Sequence, residues 1–256
     1  MSVEGDTTDD LQEQIAALQQ RVQELEQANE RALEEMHDHF HSRAMFKRLL
    51  AQISSRFVHI GVDDVDPAIE QALADIGSFV DADRTFLCQY ACDLAIMNNT
   101  HDWCAPGIVS LKQYFQKFET RGYEWMTDTL QAGQIVHVAS SEELPAAAAS
   151  LQELLHKIGV RSLIAVPLMS AGKLRGFVGF SFNERSLGWI EEQVELLRIV
   201  GETFLGALDR QRFERKLRNN EEQFRILAEN VPGVVYLCRN DDRFSMIYLN
   251  NQVETL

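Results

Sequence analysis

Apolar residues near the start of the chain return at alternating steps of four and three: Leu11, Ile15, Leu18, Val22, Leu25, Asn29, Ala32 and Met36. This is a heptad, with Ile15, Val22, Asn29 and Met36 at position a and Leu11, Leu18, Leu25 and Ala32 at position d. β-Branched residues at a with Leu at d favour a parallel two-stranded coiled coil, and a polar residue on the seam sets register at a cost in stability. The spacing therefore predicts a homodimer joined through Leu11, Ile15, Leu18, Val22, Leu25 and Asn29. The phase then slips. Phe40, Phe46, Leu49, Leu50, Ile53 and Phe57 make a wider apolar face, which suits a helix joining a bundle.

Gly61–Pro67 reads as a break, with Asp66 as N-cap and Pro67 at the first helical position of a helix carrying Ile69, Leu73, Ile76 and Val80. Arg84–Ala91 alternates as a strand, and Leu94–Trp103 is its hairpin partner across Cys92 and Asp93. A helical or loop-rich middle, Leu111–Gln131, precedes a strand at Gln134–Val138 and an Ala-rich helix at Pro145–Ile158. The clearest hairpin follows: Ser162–Met169, a turn at Ser170–Gly172, and Leu174–Phe182. Both faces of that pair are apolar, so structure should cover both. Ser186–Asn220 is a second long helix, Glu221–Asn230 is helical again, and strand-like runs at Val234–Arg239 and Ser245–Leu249 flank a turn at Asn240–Asp242. Two strands are marginal alone, so the sheet is expected to continue in a longer protein.

Charge narrows the partners. The net charge is −15, and residues 1–45 hold eleven acidic against three basic residues, as expected of a solvated helix surface. No nucleic-acid partner is expected, because phosphate binding needs a basic patch. No run approaches the ~20 apolar residues that span a bilayer, and the N-terminus lacks the basic start and apolar core of a signal peptide. No membrane partner is expected, and the cytoplasm is the expected location. Four cysteines in 256 residues do not form a disulfide scaffold.

Gly159–Phe180, a Ser-led strand with a Val-Pro-Leu run, a Gly turn and a returning strand spaced by Gly176 and Gly179, resembles the signature of the GAF domain. The stretch Trp189–Leu197 is similar to that family's closing helix, and the resemblance spans about residues 58–210. Asn99–Gly107 resembles the version common in bacterial multidomain sensors, and Phe224–Asp242 looks like the opening of a PAS domain. The implied fold is α+β: a GAF-type antiparallel sheet flanked by helices, with an N-terminal coiled coil and a partial PAS at the C-terminus. The implied domains are an acidic coiled coil over 1–45, a GAF domain over 46–210, a helical signalling linker over 211–230 and the start of a PAS domain over 231–256. Such a series resembles the input half of a sensor histidine kinase or a cyclic-dinucleotide enzyme. It would dimerise through the coil and the linker helix, and its output domain would lie outside this sequence.

In the GAF fold one sheet face packs on helices and the other faces a cavity. The resemblance therefore makes Tyr90, Met97, His101, Trp103, Trp125 and Phe180 candidates to line a small-molecule pocket, with Arg161 at its mouth for an anion. Light-sensing members attach bilin through Cys-His. Here Ala105 follows Cys104, so no bilin attachment motif is present and no bilin is expected. The pattern of the cyclic-nucleotide-binding members is missing too. His37 and His41 share a helix face but lack a third ligand, and no Cys-X-X-Cys occurs, so no metal site is expected. No Ser-His-Asp spacing, phosphate loop or His-Glu-X-X-His is present, and no enzyme activity is expected. Two alternatives remain: a thiol redox enzyme on Cys88, Cys92 and Cys104, similar to the GAF methionine sulfoxide reductases, and a ligand-free dimerisation scaffold.

Overall fold

The computed structural model describes residues 43–91, 93–186 and 191–251, with Arg21, Gln23, Asn29 and Val253 as isolated positions. It divides into two units, residues 1–52 and residues 53–256. In the first unit, Arg21, Gln23, Asn29 and residues 43–52 are helical, and Asn29 is exposed. Leu11, Ile15, Leu18, Val22 and Leu25 of the expected dimer seam lie outside the described residues, as do His37, His39, His41 and Cys92.

The second unit opens with helix α1 (residues 53–58) and a 3-10 turn at Val62–Asp64. Then follow α2 (Val65–Val80), β1 (Arg84–Tyr90), β2 (Ile96–Cys104), β3 (Phe118–Glu119), α3 (Glu124–Gln131) and β4 (Val136–Val138). The unit continues with α4 (Ala149–Lys157), β5 (Ser162–Ser170), β6 (Lys173–Phe182), α5 (Glu191–Glu229), β7 (Tyr236–Cys238) and β8 (Met246–Leu249). The first six strands form one antiparallel sheet in the order β3-β2-β1-β6-β5-β4, and β7 pairs with β8 separately.

The β5–β6 hairpin forms where the alternation places it. Ser170 pairs with Lys173, and the two residues between, Ala171 (φ 50°) and Gly172 (φ 73°), both have positive φ. Two such residues make the turn whose twist matches that of the flanking strands. Both hairpin faces are buried. Leu163 and Ala165 join the core beneath α4, while Leu168 and Val178 meet α5 at Gly201.

One sheet face carries α1, α2 and α5. The apolar period of α2 buries Ile69, Leu73 and Ile76 completely, and Phe57 of α1 stacks against Phe204 of α5 with ring centroids 5.5 Å apart. Gly77 lets the Trp103 ring lie directly on α2, where any side chain at 77 would overlap it. The other face is covered by α3, α4 and the segment 105–123, which enclose a second apolar core.

Two expectations are corrected. The N-cap of α2 is Asp64, and the helix begins at Val65, which leaves Asp66 inside the first turn with its carboxylate free for tertiary contacts. Pro67 still falls where no intrahelical N–H is required. The two C-terminal helices are one: α5 is a continuous 39-residue rod, about 58 Å long at 1.5 Å per residue. The consecutive Asn219 and Asn220 do not interrupt it, because nothing there breaks the helical ladder as Pro would.

Candidate sensory cavity and helix junction

The sheet divides two sites by strand parity. On β1, Phe86, Cys88 and Tyr90 face the second core, while Thr85 faces α2 and donates its hydroxyl to the Leu73 carbonyl at 2.8 Å. On β2 the alternation is interrupted. Leu87 pairs with His101 but Cys88 pairs with Asn99, so Thr100 is the extra residue of a bulge. A bulge moves every later side chain to the opposite face. Met97 and Asn99 therefore point into the cavity, while His101 and Trp103 point at the helices.

The cavity measures about 100 Å³. Its walls are Phe86, Tyr90 and Phe177 from the sheet, Phe115 and Phe118 from the roof, and Leu151 and Leu154 from α4. Phe86 and Phe177 meet edge to face at 6.2 Å, and Phe115 and Phe118 do so at 5.1 Å. At one end lies Arg84, only 6% exposed, whose Nε donates to the Val109 carbonyl (2.9 Å) and Nη1 to Asn183 Oδ1 (2.6 Å). Burial pushes the Tyr90 phenol up to about 12, so it stays protonated.

Of the seven pocket candidates, Tyr90 and Met97 line the cavity. Trp125 packs half-buried against the same core without lining the space. His101, Trp103 and Phe180 do not belong to it. The first two are turned away by the bulge, and Phe180, fully buried, lies on the helix side of β6, where Phe177 and Ser181 have the cavity parity. Arg161 is exposed, with Nε donating to Ser186 Oγ at 3.3 Å, so it guards no mouth. Arg84 and Asn99 were not legible as site residues, because a strand Arg or Asn is ordinarily a surface residue.

On the opposite face, the displaced His101 builds a junction. Asp66 of α2 receives His101 Nε2 on Oδ1 (3.1 Å), and Gln211 Nε2 (3.1 Å) and Arg215 Nη2 (3.4 Å), both from α5, on Oδ2. Gln211 Nε2 also donates to the Val62 carbonyl at 2.9 Å, and Lys112 Nζ donates to Glu70 nearby at 3.0 Å. Burial lowers the His101 pKa against the opposing pull of Asp66, so the imidazole is neutral at pH 7. Its proton then sits on Nε2, donated to Asp66, while Nδ1 accepts the Thr100 hydroxyl at 2.9 Å. Burial raises the Asp66 carboxyl, but hydrogen bonds from Gln211, His101 and Arg215 outweigh it and hold the group below the usual carboxylate range. One strand segment, Asn99–His101, thus touches the cavity on one side and the α2–α5 junction on the other.

Of the three cysteines in the redox alternative, the two described ones do not come together. Cys104 pairs with Arg84, and Cys88 lies four residues along β1, opposite Asn99. At ~3.3 Å per residue that separation is about 13 Å, beyond disulfide reach. Burial pushes the Cys88 thiol far up, and burial followed by the Asp102 charge raises Cys104. Neither is an activated nucleophile. Among the described residues, no three His, Cys, Asp or Glu side chains gather to hold a metal, and no helix is long and apolar enough to cross a membrane.

A six-stranded antiparallel sheet, backed by helices and roofed over an apolar cavity, defines an α+β domain of the GAF type. The GAF domain family matches residues 64–208, more than half of the chain, and the chain belongs to that family. Solved structures share the fold. A far-red absorbing dark state with bound biliverdin is 17% identical, covering 64% of this chain and 99% of that one at a TM-score of 0.54. The phycoerythrobilin-bound GAF domain of a cyanobacterial phytochrome is 13% identical, covering 66% and 97% at a TM-score of 0.54. A bacteriophytochrome from the photosynthetic bacterium R. palustris is 12% identical at a TM-score of 0.57, with 73% of this chain matching 42% of that one. No curated protein matches the chain significantly.

These neighbours overturn one expectation. Setting bilin aside because Cys104 is not followed by His does not stand, since similar solved structures hold bilins in this fold. The cavity of about 100 Å³ is smaller than the ~300–1,000 Å³ of pockets for drug-sized ligands. It does not fit a group of that size unless the roof over 105–131 moves.

Proposed function

We propose that this chain is the input part of a bacterial signalling receptor: a small molecule in the GAF cavity biases the packing of α5, and a dimer carries that bias to an output domain. The observation that carries the reading is the course of α5. Its first half packs on the sheet and is tied through Gln211 and Arg215 to Asp66. From within that tie onward, Phe213, Leu217, Asn220, Phe224 and Leu227 return at steps of four and three, and all five are exposed. An exposed heptad seam on a charged helix fits pairing with a second copy. The seam has the same logic as the Leu11–Asn29 heptad, with an Asn again at a seam position.

A histidine kinase is the output this arrangement suits best, with residues 231–256 opening a PAS domain. Rotation or splay of paired helices needs only two packings a few kcal/mol apart. Sedimentation of the full chain tests the dimer. A dimer at micromolar concentration should become a monomer on Leu217→Glu with Leu227→Glu, or on Leu18→Gln with Leu25→Gln. A monomeric wild type would end the proposal.

The bilin-bound neighbours support a second reading, in which the cavity opens for a tetrapyrrole. Mixing the purified chain with biliverdin and recording absorption separates the two. A new, shifted visible band that survives gel filtration would favour the second reading, and free-pigment absorption alone would favour the first.

A further inference from the structure

We propose that the cavity selects a small, flat, uncharged molecule bearing one hydrogen-bond donor, which it delivers to Asn99 Oδ1. This rests on the reading of the cavity as a ligand site and adds the chemical class of its occupant. Asn99 is 3% exposed, and its Oδ1 has no hydrogen-bond partner although the atom is fully buried. An unsatisfied buried acceptor costs about 1–3 kcal/mol, so native interiors rarely keep one without a purpose.

Its surroundings make the orphan specific. The Asn99 backbone is held on both sides by the roof: its N–H donates to the Phe115 carbonyl (2.9 Å) and its carbonyl accepts Gln116 Nε2 (2.7 Å). The side chain therefore stays at the cavity wall. Three other polar wall groups are already occupied. Thr120 donates to the Leu94 carbonyl (2.6 Å), Thr127 to the Tyr123 carbonyl (3.3 Å), and Asp102 accepts Ser110 (2.6 Å). A lone water needs two to four polar partners, and these commitments leave fewer of them for it. A ligand needs only one.

Size and wall chemistry supply the rest. An apolar cavity of ~150 Å³ takes benzene, so a space of about 100 Å³ corresponds to a single ring at most. Rings at centroid spacings of 5–6 Å, tilted or edge to face, already line it, an arrangement that favours one more aromatic face. A charged ligand is disfavoured, because the two charged wall residues are already engaged, Arg84 by the Val109 carbonyl and Asn183, and Asp102 by Ser110, and burying an unpaired ion is prohibitive.

Calorimetric titration of the full chain with phenol, anisole and toluene tests the class. These rings are similar in size and differ in donor capacity. Phenol should bind at least ten-fold tighter than either of the others, and Asn99→Leu should bring phenol down to the toluene level. Equal binding of phenol and toluene by the wild type would overturn this inference while leaving the ligand-site reading in place. Tighter binding of anisole than phenol would also overturn it, since the wall would then be offering a donor. Failure of all three to bind would remove the ligand-site reading as well. The wild-type ratio decides the matter even if Asn99→Leu does not fold, and Asn99→Ala serves as a second variant.

Discussion

Asp66→Ala isolates the junction through which the sheet reaches α5, and its cost can be worked out partner by partner. Gln211 loses one acceptor but keeps the Val62 carbonyl at 2.9 Å, so its contribution is small. Arg215 is half exposed, with 51% of its side chain accessible, and exposed ion pairs are worth about 0–1 kcal/mol, here taken at the low end. His101 decides the outcome. Its side chain is 6% exposed, and Nε2 has Asp66 as its partner, so removing the carboxylate buries an N–H unpaired. That costs about 1–3 kcal/mol. The expected loss is about 2 kcal/mol, which for a unit of this size lowers Tm by about 4–8 °C. Urea unfolding should show a lower midpoint at unchanged slope. In a His101→Leu background the same substitution should cost under about 0.5 kcal/mol, because the group it orphans is gone. An equal cost in both backgrounds, or a wild-type cost under about 0.5 kcal/mol, would refute the reasoning.

The same histidine sets a pH response. Its folded pKa lies below the ordinary 6.5, so the unfolded chain binds the proton more readily. Stability should be complete above pH 6.5 and fall as pH drops toward the folded value, with Lys112 favouring the loss and Asp66 and Glu70 opposing it. Comparing the wild type with His101→Leu between pH 7.5 and pH 5 should show a smaller decline in the variant, and parallel curves would contradict this. Gly77→Ala offers a test of sign. Helix propensity alone would stabilise α2 by about 1 kcal/mol, but overlap with the Trp103 ring should reverse that to a net loss of about 1–2 kcal/mol, and a stabilised variant would mean Trp103 does not lie on α2. Thiol labelling of the native protein should reach Cys104 before Cys88, whose thiol is buried and held protonated. Rapid labelling of Cys88 would mean that the cavity opens freely.

Most of the fold was legible along the chain because its signals are local. The alternation of β5 and β6 with a small-residue turn at Ala171 and Gly172 needs only near neighbours to be read, and so does the apolar period of α2. The site was legible only in part. Tyr90 and Met97 line the cavity, as simple alternation suggests, while His101 and Trp103, two and four places beyond Asn99 in the chain, are turned to the helix face by the one bulged residue. Phe180 was misplaced for a different reason: with both faces of β6 buried, an apolar side chain carries no mark of its side.

Strand alternation, heptad spacing and turn residues are written in the sequence, and they were enough to specify an antiparallel sheet, its helices and its family. Which side chains share a site was decided by the tertiary structure, because a single extra residue at Thr100 reverses the parity of everything after it. Thr100 carries no local signature of that bulge. Only the paired register of β1 and β2 reveals it, and that register sends Asn99 into the cavity and His101 to the junction of α2 with α5.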